Sequence, residues 1–195
     1  GAGISTTDRQ ALAPVSSDAN CWLSPARATD RILFDNRTVI HPASLDGMRD
    51  RVITVGSASK DYRMIGWRVG WVVGPSAIVA DVARVSITNV VCQTGIAMGA
   101  VATAIRDPDD GVAESAQALQ ARRDIILTEL ADFCVIPPHG GWSLLVDVSP
   151  LGFDGPTASD RLLQKGRIAA TPMINWGSGH CENYVRLVFS NEPLD

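Results

Sequence analysis

The sequence predicts an α/β protein built in two parts. Three observations carry that reading. Two apolar runs rich in β-branched residues, Arg51 to Gly56 and Val69 to Gly74, flank a polar loop; segments with helical spacing follow them; and further strand-like runs alternate with helices to the end of the chain.

Residues 1–29 mix polarity, proline and glycine with no sustained period, and are expected to be irregular. Ile32-Leu33-Phe34 is a short apolar run closed by the turn residues Asp35-Asn36. The runs at 51–56 and 69–74 suit buried strands, so the segment from Ser57 to Arg68 is a loop between strands, a natural place for chemistry. Pro75-Ser76 opens a helix expected to run to about Val85, and the Ala-rich stretch from Gly95 to Ile105 is a second. After the Asp107-Pro108-Asp109-Asp110 cluster, Leu119, Ile126 and Leu130 mark a long helix from Val112 to Phe133. Beyond it come strands at 142–148, 168–171 and 184–189, with a helix over 157–165 stopped by Gly166. The change of domain is expected in or just after the long helix, which divides the chain into 1–29, 30–110 and 111–195.

Composition narrows the function. Of 195 residues, 46% are hydrophobic and 19% charged, enough for one good core or two small ones. A net charge of −4 with no run of basic residues argues against nucleic acid or an acidic membrane as partner, yet leaves a small anion possible, since one or two placed arginines suffice. Cys21, Cys92, Cys134 and Cys181 form neither a C-x-x-C pair nor a disulfide framework, and with His41, His139 and His180 they lack the spacing of a structural zinc site; no metal is expected. No stretch approaches a membrane span and no leader pattern opens the chain, so the cytoplasm is the expected compartment.

The informative segment is Ser57-Ala58-Ser59-Lys60-Asp61-Tyr62-Arg63-Met64-Ile65-Gly66-Trp67-Arg68-Val69-Gly70. Hydroxyl donors beside a guanidinium make a phosphate cradle, because arginine offers a rigid fork to phosphate oxygens. A lysine at the mouth of a buried strand, next to such a cradle, is placed to attack a carbonyl carbon. A solvated loop lysine is the plain alternative.

This segment resembles the S-x-S-K … G-x-R-x-G signature of the class I/II aminotransferases, the fold-type I enzymes dependent on pyridoxal 5'-phosphate (PLP). The resemblance implies that Lys60 carries PLP as a Schiff base, that Ser57 and Arg68 hold its phosphate, and that Ser59 is a third phosphate contact. Arg63 stands where that family has a small or apolar residue. The run from Asp30 to Lys60 also resembles the family, as do His139-Gly140-Gly141-Trp142 at a strand start of the small domain and the Thr171-Pro172-Met173 loop. Tyr184-Val185-Arg186-Leu187-Val188-Phe189-Ser190 resembles the strand whose arginine binds the substrate α-carboxylate, which is Arg186 here. The implied fold is the second half of the large domain of an aspartate aminotransferase-like PLP transferase, followed by a small α/β C-terminal domain.

What is implied for function is transfer of an amino group between an amino acid and a 2-oxo acid, with Lys60 serving first as Schiff-base partner and then as acid and base. A homodimer is implied by resemblance alone. A carbon–sulfur lyase of the same fold is the nearest alternative, because the motif fixes the cofactor and not the reaction that follows. The sequence also departs from the family. Its D-x-x-Y motif supplies an Asp to the pyridine nitrogen, and ungapped counting back from Phe34 puts Ala26 and Thr29 at those positions, neither able to do the job. The chain is therefore read as a fragment cut at both ends and out of family register before Asp30, with a non-catalytic domain as the rival. Tyr62, Trp67 and Trp71 are candidates either for the pocket wall or for the core. Because an α-amino acid carries its amine and carboxylate on one carbon, Arg186 and Lys60 are expected to face one small space.

Overall fold

The computed structural model describes residues 11–193 apart from positions 13, 15, 17, 19, 28, 178 and 192. The chain divides into two compact units, one running to Ala113 and the other starting at Glu114.

The first unit is organised by a three-stranded sheet in the order β1 (Ala26–Arg27), β2 (Thr54–Ser57), β3 (Gly70–Val73). β1 runs parallel to β2, and β3 antiparallel to it. Residues before Asp30 are thus not wholly irregular: Ala11 and Leu12 are helical, and Ala26–Arg27 is a strand. Two residues have no period to read, and this strand exists because β2 supplies its hydrogen-bond partners. The expected strand at 51–56 begins late. Arg49–Arg51 closes a 3-10 turn first, and only Val52, bridged to Leu23, joins the ladder before Thr54. Gly56 has a steric duty: a Cβ there would lie 2.1 Å from Trp71 Nε1, so the indole rests directly on the glycine across the pair. Ile32, Phe34, Met48, Val52 and Ala58 are buried. Phe34, fully buried, contributes about 2–3 kcal/mol of apolar transfer.

Helix α1 (Ser76–Val90) outruns its expected end at Val85. Thr88 Oγ1 donates back to the Val85 carbonyl at 2.8 Å, which satisfies the hydroxyl inside the helix. Val91, with φ 65°, ends it. α2 (Gly95–Arg106) buries Ala97 and Val101.

α3 (Val112–Glu129) stops a turn before the expected Phe133. The chain tightens into i to i+3 contacts, Ala131 N–H to the Thr128 carbonyl and Phe133 N–H to that of Leu130, and enters β4 (Cys134–Ile136), a strand the sequence reading does not include. In the second unit the sheet order is β4, β5 (Ser143–Asp147), β7 (Tyr184–Val188), β6 (Thr171–Pro172), all neighbours antiparallel. β6 lies at the end of the expected strand 168–171 and takes only its last residue, because Pro172 and Thr171 are the residues β7 pairs with. α4 (Gly155–Gly166) is capped by Asp154, whose Oδ1 accepts the Thr157 N–H at 2.8 Å. It packs tightly against the end of β7, where a Cβ on Gly155 would lie 2.6 Å from the Tyr184 carbonyl oxygen.

Candidate active site

Ser57 ends β2 and Gly70 opens β3, and the loop between them is closed at its neck by the Ala58 N–H on the Val69 carbonyl, 3.1 Å. Inside the loop, the Arg63 N–H reaches the Lys60 carbonyl at 3.0 Å and the Met64 N–H that of Ala58 at 3.3 Å. Arg63 and Arg68 both sit in the left-handed region, φ 55° and 54°, a conformation that costs a non-glycine residue about 1–2 kcal/mol. At Arg68 the cost is offset locally. Its Nη1 donates to the Ile65 carbonyl at 2.7 Å and lies 3.4 Å from Ser59 Oγ. Ser57 Oγ accepts the Ser59 N–H at 3.1 Å. One short loop thereby links Ser57, Ser59 and Arg68 by hydrogen bonds and also carries half-buried Lys60.

Behind the loop lies a polar group the sequence reading did not single out. The Arg31 guanidinium pairs with the Asp110 carboxylate, donates to Tyr62 Oη at 3.2 Å and lies 5.5 Å from the Tyr62 ring centroid. Asp110 in turn accepts the Val112 N–H at 3.1 Å, and the arginine beside it holds its carboxyl below the usual carboxylate range. Tyr62 is thus a partner of Arg31. Asp61, directly after Lys60, is 7% exposed and its Oδ1 has no hydrogen-bond partner among the described residues. Burial pushes its pKa up to about 6, against the backbone N–H of Arg31, which favours the ionised form. An Asp adjoining the motif lysine is visible in the sequence; its burial is not.

In the second unit Arg186 occupies the middle of β7, opposite Leu145 of β5 and Thr171 of β6. Its neighbours Val185 and Leu187 point to the other face, where they line an apolar groove of about 340 Å³ with Leu162 and Lys165 of α4. Arg186 therefore projects from the face away from α4. Its Nε is buried and has no acceptor among the described residues, and its guanidinium carbon lies 4.7 Å from the Trp176 ring centroid. A buried donor without an acceptor costs about 1–3 kcal/mol, and an incoming carboxylate would relieve it.

The donor set fits PLP at one end. Ser57, Ser59 and Arg68 are chemically suited to a phosphate, and Lys60 to an aldehyde carbon. At the position that the family resemblance assigns to the ring-nitrogen partner it does not fit, since Ala26, on β1 beside Val55, carries no acid. Asp30 is engaged with Arg27 at 2.8 Å.

A lysine, two serines and an arginine thus lie on a strand-end loop of the first unit, and a small antiparallel α/β unit follows it in the chain. The chain belongs to the aminotransferase class I and II family, whose pattern it matches over residues 30–193. It is 32% identical over 200 residues to the arginine–pyruvate transaminase of Pseudomonas aeruginosa, covering 100% of this chain and 50% of that protein. Among solved structures it is similar to an aromatic aminotransferase from Pyrococcus horikoshii (TM-score 0.92, 25% identity, 98% of this chain and 52% of that one). It is also similar to the N-succinyldiaminopimelate aminotransferase from Mycobacterium tuberculosis (TM-score 0.88, 30% identity, 97% and 50%). The α/β, aspartate aminotransferase-like fold expected from the sequence is thereby established. The chain spans about half the length of the curated relatives it matches.

Proposed function

We propose that this chain is the lysine-bearing half of a PLP-dependent aminotransferase that moves an amino group between an amino acid and a 2-oxo acid. The observation that carries the reading is the hydrogen-bonded set Ser57, Ser59 and Arg68 on the closed loop that also bears Lys60. PLP, when bound, supplies the aldehyde and the electron-accepting ring on which an amino group is exchanged. Arg68 and the two serine hydroxyls hold its phosphate. Lys60 Nζ would hold the cofactor's aldehyde carbon, and as an amine it would take and return a proton at the substrate α-carbon. Arg186 receives the substrate α-carboxylate through paired N–H groups, for which its partnerless Nε speaks. The orientation of one amino acid needs both residues, since its amine and carboxylate share a carbon. The substrates in the relatives' names, arginine with pyruvate and N-succinyldiaminopimelate among them, fit an amino acid and 2-oxo acid pair. A cytoplasmic, homodimeric protein completes the proposal.

The test is borohydride reduction of the chain with added PLP, followed by peptide mapping. The pyridoxyl label is expected on Lys60; a label on Lys165, the other lysine, overturns the assignment. A second reading, a domain that keeps the fold without the chemistry, is favoured by Ala26. An absorption spectrum unchanged by PLP would support it.

A further inference from the structure

The segment after β6 continues beside β7 and then turns. The Met173 N–H donates to the Tyr184 carbonyl at 3.0 Å, tying the segment to β7 two residues before Arg186, and the Trp176 N–H closes a turn onto the Met173 carbonyl at 2.9 Å. Gly177 lets the chain continue close to Cys181, where a Cβ on the glycine would lie 3.1 Å from Sγ. These contacts lay the Trp176 indole against Arg186, with 4.7 Å between guanidinium carbon and ring centroid. The tryptophan is 59% exposed, so the core does not explain its placement.

We propose that Trp176 is a positioning residue for Arg186: its indole holds one face of the guanidinium, so that the edge N–H groups stay presented to a substrate carboxylate. The proposal rests on the reading of Arg186 as the carboxylate receptor. A guanidinium has two separable surfaces. Its faces attract an aromatic ring through the ring's negative quadrupole, and its edges carry the N–H donors that match a carboxylate. Occupying a face therefore costs no edge donor. An arginine projecting from a sheet has four rotatable torsions, and its Nε has no acceptor among the described residues to fix the guanidinium plane. The indole removes that freedom before the carboxylate arrives, which is the general route to tighter binding without a new ligand contact.

The experiment follows the Arg186 Nε–H signal by nuclear magnetic resonance in the 195-residue chain, the signal being assigned by its loss in Arg186→Lys. The probe is pyruvate, with methyl pyruvate as the control lacking a carboxylate. In the unmodified chain pyruvate should shift the signal saturably and the ester should not. Trp176→Phe, which keeps a π face, should bind within about 2-fold of the unmodified chain, whereas Trp176→Ala and Trp176→Leu should bind about 3- to 10-fold more weakly. In the last two the Nε–H should also become more mobile by its heteronuclear Overhauser effect. Affinity and mobility both unchanged in Trp176→Ala and Trp176→Leu would overturn the role of Trp176 and leave that of Arg186 standing. No pyruvate response in the unmodified chain would overturn the receptor reading, and the proposal with it; the mobility comparison would then say only whether the clamp itself exists.

Discussion

Replacing Asp61 by Asn removes a titrating group whose charged form the fold disfavours. The carboxyl is 7% exposed, Oδ1 has no partner among the described residues, and burial raises its pKa from 3.8 to about 6, with Asp30 adding to the rise and the Arg31 and Arg27 charges opposing it. Between those two values the folded chain holds a proton that the unfolded chain has released. Stability from this group is therefore fully present below about pH 4 and is lost as the pH rises through 6. A gap of roughly two units at about 1.4 kcal/mol each gives a ceiling near 3 kcal/mol at pH 7 and above. Asn keeps an oxygen for the Arg31 N–H but brings an amide N–H₂ that needs an acceptor, which lowers the expected gain to about 1–2 kcal/mol. Urea denaturation of Asp61→Asn and the unmodified chain at pH 4, 5, 6, 7 and 8 is the assay. The variant should be the more stable at pH 7 and 8, and its advantage should disappear on the way down to pH 4. A difference that does not change with pH would refute the burial argument, whichever sign it had.

Three further outcomes are expected. Gly56→Ala drives a methyl group into the Trp71 indole and should destabilise the chain by about 1–3 kcal/mol, read from the urea midpoint together with a shift in tryptophan emission. The chain alone should bind PLP weakly and transaminate slowly or not at all, because a charge-assisted hydrogen bond of about 1.5–3 kcal/mol at the ring nitrogen is missing; turnover at about 1 per second or faster would contradict this. Ala26→Asp should tighten PLP binding by about 10-fold or more in an absorbance titration, and an unchanged affinity would show that position 26 does not face the ring nitrogen.

The loop between β2 and β3 was readable because its information is local. Ser57, Ser59, Lys60 and Arg68 fall within twelve residues, bounded by two β-branched runs, and the neck that closes them is a neighbour-strand contact between Ala58 and Val69. The strand that carries Arg186 was readable for a similar reason, five residues with a recognisable pattern. The boundaries were less so. α1 continued through β-branched residues because Thr88 could bond back to Val85, and the end of α3 was hidden by apolar spacing that continues through Leu130 into a tightened turn.

The residues that were missed share one physical feature, which is that their state is set by a partner far along the chain or by enclosure. Asp61 is an ordinary loop carboxyl until neighbours bury it, and part of that enclosure comes from Arg31, thirty positions earlier, held in place by Asp110. Trp176 is an ordinary loop aromatic until the Met173 to Tyr184 bond ties its segment to β7. In both cases the sequence displays the chemical group, while the property that makes it useful, a raised pKa or a ring laid on a guanidinium, belongs to the contact. A motif therefore identifies the atoms that meet the cofactor or substrate more readily than the atoms that hold those in place. The second class is where the energetic consequences of the fold can be measured without turnover, by a pH-dependent urea midpoint at Asp61 and by the mobility of one N–H at Arg186.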